Sequence, residues 1–399
     1  VAEPAAVPER PVMAASGHGD LRDVDVAVVG GGPVGLVLAI LALQDGLRVR
    51  VLERRTERSS HSRAIGIHPP GMAALEATGV AGQLAAEGVQ IRRGAARTRD
   101  RDLISISFSK TSTAYPYVVA LPQERTETVL EARLRELDPD ALQRGHQVTG
   151  LRDDGAGVTL TGAGPGGEFS LRASWVVAAD GARSPVRGLL GIEATGTLLR
   201  DSYLMGDFPD TTGDGPVGVL YLEPEGIVES FPLPGGKRRW VAHTRTLLSD
   251  ADAKDLATIV AARTGKKPDA GASTMLSAFS VRTTALRQLV HGRTVLIGDA
   301  AHEVSPIGGQ GMTLGWLDAA ELAPLLSAAV GGADVTRQLA AFDLRRRRAA
   351  VVASAQARLN MALGRPLPPR LMQARNAGLA RLFRSRRLAG LVAKRFTMQ

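Results

Sequence analysis

The 399 residues include no cysteine. That excludes disulfides, thiolate nucleophiles and cysteine-ligated metals, so any redox chemistry has to run on a borrowed group. The seven histidines show no paired metal-binding spacing, and no carboxylate cluster completes a set, so no metal is expected. Aromatic residues make up only 4%. No apolar run approaches the ~20 residues that cross a bilayer. The first 23 residues, with prolines at 4, 8 and 11, lack hydrophobic periodicity and the apolar centre of a signal peptide. They read as a flexible lead-in, and a cytoplasmic location is the expectation.

Acidic residues are missing from 345–399, which holds 14 basic side chains. The chain total is 49 basic against 40 acidic groups, or +9, which leaves 35 against 40, or −5, for the remainder. Such a segment reads first as a solvated helix face; beyond that it suits weak contact with a membrane surface or an acidic protein. Arginine exceeds lysine along the whole chain, so the charge does not point to nucleic acid. What the chain does have is 44% hydrophobic content, enough to fill a sizeable core in more than one domain.

From Val24 the text turns into VDVAVVGGGPVGLVLAILALQDGLRVRVLERR: a β-branched run, a glycine turn, an apolar helix and a second β-branched run. Pro33 suits the first turn of that helix, where its missing N–H would be unpaired anyway, and Asp45-Gly46 supplies the stop. Gly30, Gly32 and Gly35 fall as GxGxxG between strand and helix. Gly30 permits the tight turn, Gly32 lets the backbone approach a pyrophosphate, and Gly35 lets the helix pack on the strand. Glu53, followed by Arg54, ends the second strand where a carboxylate can receive an adenosine ribose. This unit predicts dinucleotide binding and leaves NAD and FAD undistinguished.

Two more strand-to-glycine turns follow. Asp180-Gly181-Ala182-Arg183-Ser184-Pro185-Val186-Arg187 opens a helix with Ser184 as its cap. Gly298-Asp299-Ala300-Ala301-His302 leads into Pro306-Ile307-Gly308-Gly309-Gln310-Gly311-Met312 at the mouth of a long helix, whose N–H groups would face negative charge on a reduced ligand ring. With all three motifs in order, the chain resembles the group A flavin-dependent aromatic hydroxylases of the p-hydroxybenzoate hydroxylase fold, over about residues 24–345.

The resemblance implies a Rossmann-like α/β FAD-binding domain with an inserted antiparallel substrate sheet and a C-terminal helical segment. It implies FAD as cofactor, NADPH or NADH as transient electron donor, and dioxygen as co-substrate. Asp299 would contact the ribitol side, Asp180 and Arg187 would support the FAD and nicotinamide sites, and Arg63 and Gln123 would touch FAD. Pro306, Gly308, Gly309, Gly311 and Met312 would line the flavin, with threonine at 313 where members of the group carry asparagine. The implied reaction is hydroxylation of a phenolic, quinone or polycyclic polyketide ring through a flavin 4a-hydroperoxide.

The region from 191 to 284 alternates short strand-like runs with Gly and Pro, and IVESFPLPGGKRRWVAHTR reads as a hairpin turning at Pro234-Gly235-Gly236. Tyr117, Tyr221, Phe231 and Trp240 are the candidate substrate contacts. His243 is the candidate base for a phenol, since imidazole titrates near neutrality. The expected division is a lead-in (1–23), a discontinuous FAD-binding domain (24–86, 120–190, 285–345), a substrate sheet (87–119, 191–284) and basic helices (346–399). Two alternatives stay open: a flavin-dependent reductase acting on a prenyl or other unsaturated substrate, and a flavin-fold binding protein without turnover. A halogenase is disfavoured by the absence of WxWxIP.

Overall fold

The computed structural model describes residues 23–58, 64–109, 112, 114–383 and 385–398, with the backbone alone at 386–389. Val24–Val29, Val49–Glu53, Leu142–Arg144, Gly167–Ala178 and Thr294–Leu296 form the parallel part of an eight-stranded sheet. Their β-branched runs are buried on both faces, as a parallel sheet covered by helices requires. The strand Gly167–Ala178 also carries an antiparallel flap built from Val158–Gly164 and Gln147–Asp153. The apolar helix Pro33–Gln44 is buried from Gly35 to Ile40. It packs between the sheet and the helices Gln123–Leu137 and Gln310–Val330, which is why no side of it is polar.

A second sheet of eight strands runs in the order His302–Glu303, Met275–Ala285, Thr195–Pro209, Lys237–Thr244, Val228–Leu233, Val217–Tyr221, Arg93–Arg97 and Asp102–Ser107. It is antiparallel apart from the pairing of Val217–Tyr221 with Arg93–Arg97. The expected hairpin is present, with Leu233 opposite Lys237. Gly235 and Gly236 adopt φ of 73° and 67°, which side chains rarely tolerate. Of the 87–119 segment, only 93–107 joins this sheet; Val89–Ile91 and Val118–Ala120 pair with each other, and Gly66–Ile67 completes a separate three-stranded sheet. His302–Glu303, directly after the GD turn, forms the edge of the second sheet, so the two units are joined at that motif.

Strand alternation gives the second sheet two unlike faces. Leu204, Phe208, Val219, Tyr221, Trp240 and Ala242 pack under the helix Ala253–Thr264 against Leu256 and Val260; each such aliphatic burial contributes roughly 1.5–3 kcal/mol. Tyr203, Met205, Val241 and Phe279 point the other way, toward Ile307 and Met361.

One helix, Thr336–Gly364, runs straight through residue 345, so the basic segment begins inside an element that is already packed. Arg365, held extended by the following Pro366, ends it. The helices Pro369–Leu382 and Arg386–Phe396 then cross the Asp102–Ser107 edge of the second sheet. No helix among the described residues is long and apolar enough to cross a membrane.

Candidate active site

The three glycine turns meet at the carboxyl ends of the parallel strands, where open α/β sheets bind their ligands. A Cβ on Gly30 (φ 109°) would stand 2.4 Å from the Ala179 carbonyl oxygen, just before Asp180, and one on Gly35 would stand 2.0 Å from the Gly30 oxygen. Val34 fills the space over Gly298 and Gly315. The first, second and third motifs therefore interlock through glycines. Gly32 differs, because a Cβ there meets nothing within 4 Å: the ground in front of the helix N-terminus is open. Glu53 sits beside it, accepting the Gly31 N–H at 2.8 Å and the Arg55 N–H at 2.9 Å, while Arg54 is exposed.

Ser184 caps the helix Pro185–Leu189 by accepting the Arg187 N–H, and Asp180 Oδ2 accepts that of Val186. Asp180 Oδ1 is buried without a partner, and burial raises the carboxyl's pKa, opposed by Ser184 and the Val186 N–H. Arg187 bridges the second and third motifs, donating to the carbonyls of Ala182 and Ala300.

The third motif is braced from below. Asp318, fully buried on the helix Gln310–Val330, accepts from Gly298 N–H (2.9 Å), His302 Nε2 (2.7 Å) and Arg346 Nε (2.6 Å). Burial opposes the charged pair. Even so, the His302 and Arg346 cations hold Asp318 below the usual carboxylate range, and Asp318 lifts His302 above the usual imidazole value. Asp299 lies exposed in the cleft beside Gly311. The protein packed against the inner side of its carboxyl raises its pKa, with Asp318 adding and His302 opposing.

Pro306 is exposed at the rim, and its carbonyl accepts the Gly309 N–H. Gly308 (φ 98°) and Gly309 (φ 66°) make the turn that starts the long helix. His68 Nε2–H donates to the Gly308 carbonyl at 2.9 Å; burial drives its pKa to about 4, so the ring is neutral at ordinary pH. Met312 is buried, and Thr313 turns away from the cleft, where its hydroxyl accepts the His68 N–H.

A family model described as "FAD binding domain" matches residues 23–357. The chain belongs to this FAD-binding family of flavin-dependent aromatic hydroxylases. Anhydrotetracycline monooxygenase of Streptomyces rimosus is 33% identical over 340 residues, 81% of this chain and 66% of the relative; the chain thus spans just under two thirds of that protein's length. The crystal structure of p-nitrophenol 4-monooxygenase from Pseudomonas putida DLL-E4 superposes with a TM-score of 0.85 at 28% identity, covering 94% of this chain and 98% of the other. A ternary complex of aklavinone-11 hydroxylase with FAD and aklavinone superposes with a TM-score of 0.74 at 27% identity, covering 89% and 71%.

FAD, the cofactor of this family, suits the cleft. Gly32 leaves open space before the helix N-terminus, which favours a pyrophosphate, and Asp180 Oδ1 is a buried acceptor with no hydrogen-bond partner among the described residues. Arg63 lies outside the described residues. Gln123 opens the helix Gln123–Leu137; its N–H donates to Ala64 next to that segment, and its amide donates to Glu127.

The sequence-nominated substrate residues do not gather at one place. Trp240 and Tyr221 lie on the sheet face under the helix Ala253–Thr264, one residue out of phase with the face that meets Ile307. Tyr117 packs in the nucleotide-domain core beneath the Arg92 guanidinium. Phe231 alone shares the Ile307-facing side, half-buried beside Gly218. His243 is on that side too, against Tyr203. Its Nε2 is 3.3 Å from Asp201, which also takes two bonds from Arg365; burial lowers its pKa, with Asp201 opposing.

Sequence reasoning passed over His68, Asp318, Tyr203 and Glu229. For Glu229 a signal existed, since a glutamate interrupts the apolar strand VESFPL at a position whose i+2 and i+4 neighbours, Phe231 and Leu233, are apolar.

Proposed function

We propose that the protein is an NAD(P)H-consuming monooxygenase that hydroxylates an aromatic substrate carrying a phenolic hydroxyl, with FAD held by the three interlocked turns. In this reading Gly30, Gly32, Pro33 and Gly35 seat the pyrophosphate, Glu53 and Arg54 meet the adenosine end, and Asp180, Arg187, Gly298 and Asp299 hold the ribitol side. Pro306 through Met312 line the ring. Bound FAD supplies the electrons and the activation of dioxygen; the protein binds, orients and keeps water away.

One observation carries the choice of substrate class. The sheet face bearing Tyr203, Met205, Val241 and Phe279 packs directly on Ile307, inside the loop between Pro306 and Gly308. A largely apolar wall beside the redox loop suits a flat aromatic ring and excludes water from it. Relatives named for p-nitrophenol, anhydrotetracycline and aklavinone support the same class. In this reading the enzyme works in the cytoplasm, where NAD(P)H is available, with no nucleic acid required.

The deciding experiment supplies holoenzyme, NADH or NADPH and labelled dioxygen to a panel of phenols and polycyclic phenols. Substrate-dependent NAD(P)H consumption with one labelled oxygen in the product is the expected result. Consumption with no label in any product would replace this reading with a reductase acting on an unsaturated substrate, and FAD binding with no consumption would leave a carrier protein.

A further inference from the structure

Glu229 lies in the middle strand of the substrate sheet. Register places it between Leu220 and Val241, with Met205 next along the same row. Its face is the one that meets Ile307, Met361 and Leu379. The residue is buried, and among the described residues neither a hydrogen-bond donor nor a cation reaches its carboxylate. Other charges on this face are satisfied within the protein. Asp207 is paired with Arg239 at 2.6 and 2.8 Å, and Asp201 with His243 and Arg365. Tyr203, one row away, has a buried hydroxyl with no hydrogen-bond partner among the described residues, and it is close enough for the Glu229 charge to add to the burial that raises its pKa. Among the described residues, an acceptor and a hydroxyl without partners thus share a wall beside the 306–309 loop whose other charges are paired with one another. A buried carboxylate without a partner is costly, and such costs are concentrated where a ligand completes the pairing.

We propose that Glu229 is the group that receives the substrate's phenolic hydroxyl, and that Tyr203 flanks the same oxygen. The inference rests on the aromatic-hydroxylase reading above and names the residue that orients and activates the ring. The phenol O–H bond breaks and an O–H bond forms on Glu229, while the bonding pair stays on the ring oxygen as phenolate, which enriches the ring in electrons. Glu229 returns the proton to the phenolate in the product complex. Turnover therefore balances as ring C–H, dioxygen, NAD(P)H and one proton giving ring C–OH, water and NAD(P)⁺.

Burial alone raises the Glu229 pKa to about 7, which suits a base acting near neutrality. The titratable and charged groups on its face are Tyr203, the Asp207–Arg239 pair and the Asp201–His243–Arg365 cluster. Leu220 and Val241 flank it without charge, and the apolar cluster on the same face includes Ile307, Met361 and Leu379.

The probe is 4-nitrophenol bound to oxidised holoenzyme without reductant, so that no turnover enters. At about pH 8 both partners are mostly ionised when apart, and two adjacent negative charges cannot both persist on binding. Wild-type protein is expected to take up close to one proton per phenol bound, read with an indicator dye in weak buffer. E229Q should bind the phenolate with little uptake. In turnover, the rate in wild type should rise with pH through about 7, and E229Q should lose that limb together with tenfold or more in kcat. E229D should restore part of both.

Equal proton uptake in wild type and E229Q would overturn the assignment, whatever the fate of the hydroxylase reading. Labelled-oxygen insertion by E229Q at the wild-type rate and pH profile would overturn it as well. A wild type that binds the phenol with proton uptake yet inserts no labelled oxygen would instead fail the hydroxylase reading and keep Glu229 as a phenol-binding group. A holoenzyme that binds no phenol would remove both.

Discussion

Two buried acids pull stability in opposite directions at the residue scale. Glu229 titrates higher in the folded chain than in an unfolded one, so the folded state holds its proton more tightly. Its penalty is absent below the ordinary carboxylate value, grows as pH rises toward about 7 and is constant above that. E229Q should therefore be more stable than wild type at about pH 8, by roughly 3 kcal/mol at most, and nearly equal to it at about pH 4. Urea unfolding of the apo-protein at the two pH values checks this, and a destabilised E229Q at high pH would show that the carboxylate has a partner.

Asp318 acts the other way, as its pKa is lowered by His302 and Arg346 against the opposing effect of burial. Its contribution is present above the ordinary carboxylate range and is lost as pH falls below it. His302, raised by Asp318, gives its share below the ordinary imidazole value and loses it as pH climbs through the raised one. D318A removes the acceptor of His302 and of Arg346 Nε, leaving Arg346 only the Leu314 carbonyl and the more distant Glu321, and it should cost about 3–5 kcal/mol in urea unfolding. FAD titration of the same variant should show weaker binding, because the Gly298 N–H loses its anchor.

The first glycine turn does two separate jobs at the scale of the element. Gly35 is a packing glycine: alanine there drives Cβ to 2.0 Å from a backbone oxygen, so G35A should misfold or lose several kcal/mol. Gly32, in the function proposed above, is a ligand glycine. Its φ of −80° suits any residue, and a Cβ there touches nothing. G32A should keep the melting temperature of the apo-protein within a degree or two, yet weaken FAD binding by about tenfold or more. Fluorescence titration with FAD beside a melting curve separates the two. Equal losses in both variants would mean that Gly32 serves packing alone.

At the scale of the whole molecule, the C-terminal helices cover the Asp102–Ser107 edge of the second sheet. Phe396 stacks on Phe108 and meets His68 edge-on, and Asn376 donates to the Leu222 carbonyl, just past the interior strand Val217–Tyr221. The basic residues before them are largely used within the chain, with Arg345 on Glu321, Arg346 on Asp318 and Arg347 on Asp343. A chain ending at Pro368 keeps Arg365 on Asp201 and the whole family-matched region. It should bind FAD within about threefold of wild type while its affinity for phenols falls about tenfold and iodide quenches the flavin more readily. Unchanged phenol binding and quenching would show that these helices do not cover the site.

The nucleotide site was legible because its requirements are local. A glycine turn between a β-branched run and an apolar helix, an acid ending the next strand, and a capped DG helix all act over a few residues of backbone, and each is written in consecutive letters from Val24 to Glu53 and from Asp180 to Arg187. The parallel order of the strands followed from the same pattern. Pocket residues were not legible in that way. Trp240 and Glu229 both sit on strands of one sheet, and their opposite fates depend on which face meets the helix Ala253–Thr264 and which meets Ile307. A shift of one residue exchanges those faces, and the register is set by partners far away in sequence. The run of arginines at 345–348 likewise reads as a solvated surface until folding brings Asp318, Glu321 and Asp343 to it. Sequence determined the chemistry of the turns; long-range pairing alone decided which side chains share a face with Ile307 and which charge there, among the described residues, is left without a partner.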